Sequence, residues 1–135
     1  MKKLRVIAMK HRINTSFILI GLTLVALSLS FLSDRNFFFY PPEWAPTFND
    51  IRIDIIGIIT GILLMIAGFF NLKNDFVVGI LLAVAAAFVS FMIAIELIHI
   101  YFVGVFRLKP SIILDIYFLV NIMLAAYYRR SHKKR

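Results

Sequence analysis

The sequence predicts an all-α membrane protein, a four-helix transmembrane bundle with both termini on the cytoplasmic side. Three observations predict it. Hydrophobic residues make up 61% of the chain and charged residues only 16%, against roughly 45–50% and about 25% in a soluble domain. The apolar residues gather into four long runs, with most charges displaced to the ends of those runs. Finally, Lys and Arg concentrate on one side of the alternating topology that four crossings impose. With 135 residues, the chain 1–135 reads as a single membrane domain that leaves no length for a soluble catalytic one.

The first run, residues 13–32, contains no charged residue. It follows a basic start (Lys2, Lys3, Arg5, Lys10, Arg12), as a secretory signal does. The apolar stretch is longer than the usual signal core of about 7–15 residues and no A-x-A site follows, so it reads as an uncleaved anchor helix. The second run covers 51–72, the third 76–105, and the fourth 111–128, after Pro110. Each is near or above the roughly 20 residues that cross about 30 Å of hydrocarbon. Helices are expected because an isolated strand would leave its backbone unpaired in lipid. The third run is long enough to tilt or protrude. The short connection 71–75 makes the second and third helices an antiparallel hairpin.

Orientation follows from charge. Eleven of the fifteen Lys and Arg residues lie in the N-terminal tail, at Lys73, or in the tail formed by Arg129, Arg130, Lys133, Lys134 and Arg135. Arg35, Arg52, Arg107 and Lys109 lie on the other side. Excess positive charge marks the cytoplasm, which predicts a multi-pass protein of the cell membrane with both ends inside. The net charge of +8 is placed beside the first and last runs, where it suits anionic lipid headgroups rather than nucleic acid.

The outer loop, 34–50, crowds Phe37, Phe38, Phe39, Tyr40, Trp44 and Phe48 around Pro41, Pro42 and Pro46. Such rings favour the headgroup level. They also suit a protein interface, with Phe38, Tyr40 and Trp44 as the anchors.

Within the bilayer two stripes of small residues invite close packing. The second helix has Gly57-x-x-x-Gly61, and the third has Gly79, Ala83 and Ala87 at four-residue spacing. The stripes are expected to face each other in the hairpin. The competing expectation is that one stripe joins copies of the chain into a homo-oligomer.

Four acidic or histidine residues fall inside the runs: Asp54, Glu96, His99 and Asp115. Each costs about 2.5–3.5 kcal/mol at a helix centre and is by default a functional candidate. Counted along the helices, all four lie toward the outer face. One reading makes them converge on an outward-opening polar pocket for a cation or a proton. The other leaves them in the headgroup zone, solvated or paired with Arg52, Arg107 and Lys109. Thr60, Ser90 and Asn121 are expected to bridge helices.

Several chemistries are excluded. The chain has no cysteine, hence no disulfide, thiolate metal site or catalytic thiol. Glu96-x-x-His99 matches half of a di-iron signature, but no second such pair exists, so no iron site is expected. No G-x-S-x-G, phosphate loop, H-E-x-x-H or zinc-ligand spacing occurs. The expectation is no enzyme, no catalytic residues, no metal and no cofactor. Small multidrug transporters carry a membrane-embedded glutamate in their first helix, and the first helix here has none. Phage holins are similar only in composition.

Three functions are carried forward. The first is a non-catalytic accessory membrane protein that binds a protein partner through the outer loop. The second is a small ion or proton channel or transporter using Asp54, Glu96, His99 and Asp115. The third is a holin- or toxin-like protein that makes membrane lesions.

Overall fold

The structure, a computed structural model, describes residues 14–35, 37–39, 41–104 and 109–132, with the side chains of 130–132 left out. The basic N-terminal tail, Tyr40, Arg107 and the last three residues lie outside these. Among the described residues all regular structure is helical: α1 (Thr15–Ser33), the short α2 (Ala45–Phe48), α3 (Ile51–Phe69), α4 (Asp75–Val103) and α5 (Pro110–His132). Four stretches are long and apolar enough to cross a membrane, namely Thr15–Ser33, Ala45–Phe69, Asp75–Val103 and Pro110–Arg129.

The helix ends follow local chemistry. Asn14 caps α1, its side chain accepting from the Phe17 N–H. Asp50 caps α3 by accepting from Arg52, and Asn74 caps α4 by accepting from Phe76 and Val77. Side-chain acceptors of this kind satisfy N–H groups that the helix itself leaves open. Helix α3 ends at Phe69, three residues short of the expected 72, and Asn71 follows in the left-handed region (φ 46°). Asparagine tolerates that conformation better than most side chains, and it starts the turn into α4. Gly104, also left-handed at φ 74°, ends α4. Pro110 opens α5, where its missing N–H costs nothing. Helix α4 has 29 residues, roughly 43 Å at 1.5 Å per residue, which exceeds the hydrocarbon thickness of about 30 Å.

The tightest contact in the bundle is between α1 and α3. Glycines permit it. A Cβ at Gly61 would stand 2.7 Å from the Gly21 carbonyl oxygen and 2.7 Å from a Val25 methyl. A Cβ at Gly68 would meet Ile18 at 2.7 Å and the Asn14 carbonyl oxygen at 2.9 Å. There the Asn14 N–H donates to the Gly68 carbonyl at 3.0 Å, a backbone bond between helices. At the other end of the stripe, Gly57 lies against Ser28 and the Phe88 ring.

The expected pairing of stripes across the α3–α4 hairpin is therefore corrected. Gly57 and Gly61 pack chiefly on α1, while Gly79 has nothing within 4 Å of a Cβ placed on it. Ala83 and Ala87 are exposed with Gly79. The buried face of α4 instead holds Val78, Leu82, Ala85, Val89, Met92 and Ile95. Phe88 is the side chain that fills the space beside Gly57, so one large side chain does the work assigned to a small-on-small contact. Large apolar residues remain exposed all round the bundle, including Leu22, Ile59, Ile62, Ile80 and Leu114. In water such a surface would be a liability; it is consistent with contact to lipid.

Candidate functional site

Glu96 lies on α4 and is 6% exposed. The Ser111 hydroxyl, on the first turn of α5, donates to its Oε1 at 2.9 Å. Its other oxygen, Oε2, is buried with no hydrogen-bond partner. Asp115, 8% exposed, follows Ser111 by four residues and so shares its helix face. It lies within electrostatic reach of Glu96. Two carboxylates and a hydroxyl thus meet between α4 and α5.

All three border one cavity of about 1560 Å3 between α1 and α5. The walls near the carboxylates are Leu27, Phe31, Phe37, Leu114 and Phe118. At its far end lie Asn14, Lys73, Asp75 and Arg129. Ser16, Thr23, Ser30, Asn71 and Asn121 add further polar groups to a lining of mixed character. Helices α1 and α5 touch over only a short part of their length, which leaves the space between them open.

Of the four predicted residues, two border this cavity. Glu96 and Asp115 come together. His99 is buried at 8% but packs edge-on against Phe38 and Phe39, with ring centroids 6.2 and 4.8 Å away. Asp54, 6% exposed, sits at the start of α3 within electrostatic reach of Arg35 and Asp50. Neither His99 nor Asp54 borders the cavity. Among the described residues no three His, Cys, Asp or Glu side chains are placed to hold a metal ion. The solvated alternative does not describe these groups either, because all four are buried.

Other polar expectations change as well. Asn121 donates to the Tyr117 carbonyl of its own helix at 2.8 Å and does not bridge helices. Ser90 is exposed, whereas Thr60 is buried at 5%. Sequence reasoning passed over Ser111, although its i, i+4 spacing to Asp115 was a usable signal.

The aromatic loop is also rearranged. Phe38 is 2% exposed, stacked on Phe31 at 5.6 Å and edge-on to Phe48 at 6.4 Å. It belongs to the core, so it cannot anchor a partner as expected. Trp44 is 49% exposed and Phe39 61%.

At the opposite end of the bundle Arg129 joins α5 to α4. Its Nε donates to Asp75 Oδ1 at 2.9 Å and an Nη donates to the Leu72 carbonyl at 2.9 Å. Its guanidinium also sits 5.5 Å from the centre of the Phe17 ring, within cation–π range.

Fold and surface together define a small all-helical protein with the make-up of a multi-pass membrane protein. In comparisons with protein-family models, curated proteins and solved structures, nothing matches this chain.

Proposed function

We propose that this is a small, non-enzymatic protein of the cell membrane, both termini cytoplasmic, that binds a cation or proton at Glu96 and Asp115 and conducts or carries it. One observation supports this above others: Glu96 is buried, and one of its carboxylate oxygens has no hydrogen-bond partner. Burying such a group without a counter-charge is costly, and a chain kept only for packing would favour an apolar residue there. A cation or proton taken up at the carboxyl group from the cavity it borders would balance that charge. The second acidic group, Asp115, adds to the local negative field.

The test is flux in proteoliposomes under an imposed potassium diffusion potential, with wild type beside Glu96→Gln and Asp115→Asn. The reading expects proton or alkali-cation flux in wild type and its loss in both variants. Equal flux in all three would point to a lesion that ignores the acidic pair. No flux in any of them would sink the reading.

A second reading rests on the exposed rings of Trp44 and Phe39. They favour an accessory protein that contacts a membrane partner through the 34–50 loop. Co-purification that survives Trp44→Ala and Phe39→Ala together would remove it.

A further inference from the structure

We propose that the groove between α1 and α5 seats one anionic phospholipid, with its phosphate on Lys73 and Arg129 and an acyl chain along the wall towards Leu27. The inference stands independently of the reading of Glu96 and Asp115.

Charge is spread unevenly along this groove. Lys73 and Arg129 lie at one end, beside the amides of Asn14 and Asn71. Asp75 is the acidic group there, and it is paired with the Arg129 Nε at 2.9 Å. The Leu72 carbonyl takes one further Arg129 N–H, so part of the five-donor guanidinium is still open. Lys73 is exposed and makes no ion pair among the described residues. The chain leading into α1, residues 1–13, and the chain beyond Arg129 add Lys and Arg but no Asp or Glu. Basic pockets between helices at a membrane surface bind anionic headgroups, and each cation near the surface contributes about 1 kcal/mol. At the other end Glu96 and Asp115 repel a phosphate, which fixes the direction in which the lipid lies.

Length agrees with that direction. Arg129 and Asp115 are both on α5, roughly 21 Å apart at 1.5 Å per residue. One leaflet supplies about half of a hydrocarbon core of about 30 Å. A lipid with its phosphate at Arg129 therefore ends its chain short of the carboxylates.

The wall between the two ends suits a hydrocarbon chain. Leu19, Ile20, Leu27, Leu124 and Ala125 line it. At mid-groove Thr23 donates to the Leu19 carbonyl at 2.8 Å and Asn121 to the Tyr117 carbonyl at 2.8 Å. Each bond lies within one helix and lowers the cost of laying hydrocarbon against the group. The space of about 1560 Å3 exceeds the roughly 300–1,000 Å3 of a pocket for a drug-sized ligand. Because α1 and α5 meet over so little of their length, a lipid can enter it from the bilayer.

The experiment is native mass spectrometry of the full-length chain from detergent micelles, titrated with phosphatidylglycerol or with phosphatidylcholine of the same acyl chains. One phosphatidylglycerol per chain is expected, bound about 30-fold more tightly than phosphatidylcholine, as two cations at about 1 kcal/mol each predict. Lys73→Gln should weaken phosphatidylglycerol about fivefold and leave phosphatidylcholine unchanged, and Lys73→Arg should restore it. Leu124→Trp should weaken both lipids by filling the groove. Equal affinity for the two lipids would overturn the proposal, as would wild-type phosphatidylglycerol affinity in Lys73→Gln. Displacement of the lipid by an equal concentration of glycerol phosphate would also overturn it, since the chain would then add nothing. A lipid-free dimer would give the groove to a second copy and sink the proposal as well.

Discussion

The side-chain amide of Asn49 holds the backbone of Phe38 from both sides, accepting from the Phe38 N–H at 3.3 Å and donating to the Phe38 carbonyl at 2.7 Å. The same amide donates to the Ala45 carbonyl at 2.9 Å. One residue of the loop thereby imitates a paired strand and presses the Phe38 ring into the end of the bundle, against Phe31, Phe48 and His99. Leaving buried backbone groups without partners costs about 1–3 kcal/mol.

Asn49→Ala is accordingly expected to destabilise the protein by about 1–3 kcal/mol. Phe38→Ala should cost about 3–5 kcal/mol by opening a cavity. Trp44→Ala, at a half-exposed ring, should cost far less. The chain has a single tryptophan, and it lies 5.9 Å from Phe48. Its fluorescence during thermal unfolding in detergent therefore reports on the loop. Unchanged unfolding in both Asn49→Ala and Phe38→Ala would show that the clamp is not a support.

Gly61→Val should be among the most damaging substitutions in the bundle. The added side chain would collide with the Gly21 carbonyl and the Val25 methyl, and overpacking costs about 1–3 kcal/mol or more when backbone must move. Gly79→Val is the internal control, since nothing lies within 4 Å of a Cβ there. Thermal stability of the two variants, compared by circular dichroism, should separate clearly. Equal loss in both would mean that the α1–α3 contact is not the tight one.

Glu96→Gln is expected to raise stability while removing function. Glutamine keeps an acceptor for the Ser111 hydroxyl and removes a buried charge that lacks a protein partner. The amide that replaces Oε2 still lacks a partner, so the gain comes only from removing charge and should be on the order of 1 kcal/mol. Ser111→Ala should act oppositely, because it strips the one hydrogen bond Glu96 has in the described structure. Chemical denaturation in mixed micelles gives both signs at once. A Glu96→Gln protein less stable than wild type would place Glu96 among structural residues.

Arg129→Ala should have a modest effect. The Arg129 and Asp75 side chains are 19% and 42% exposed, and ion pairs this accessible contribute about 0–1 kcal/mol. The bond to the Leu72 carbonyl and the contact with Phe17 should carry the rest of the loss. In a double-mutant cycle, Asp75→Asn and Arg129→Ala should couple by less than about 1 kcal/mol. A larger value would make this pair a principal tie between α4 and α5.

Much of the architecture was legible because lipid imposes a simple rule. An apolar run of about 20 residues has few alternatives to a helix in a bilayer, so the four spans can be read from Phe17, Leu64, Val89 and Phe118 and their neighbours without tertiary information. Boundaries moved by a few residues where a cap decided them, as at Asn71 and Gly104. The site was less legible. Glu96 and Asp115 could be picked out as costly ionisable residues, yet periodicity fixes only which face of one helix a residue occupies. It does not fix how that helix is rotated against the others.

By itself, then, the sequence determined that the chain is helical, has four lipid-compatible spans and buries Asp54, Glu96, His99 and Asp115 within its apolar runs. Tertiary structure alone decided their partners. Gly21 rather than Gly79 met Gly61, since backbones at glycine approach more closely than Phe88 allows on the α4 side. Phe38 went into the core because Asn49, eleven residues away, satisfies its backbone. Glu96 was brought to Ser111 and Asp115 by the rotation of α4 against α5, which packing across the whole bundle sets and no local pattern encodes.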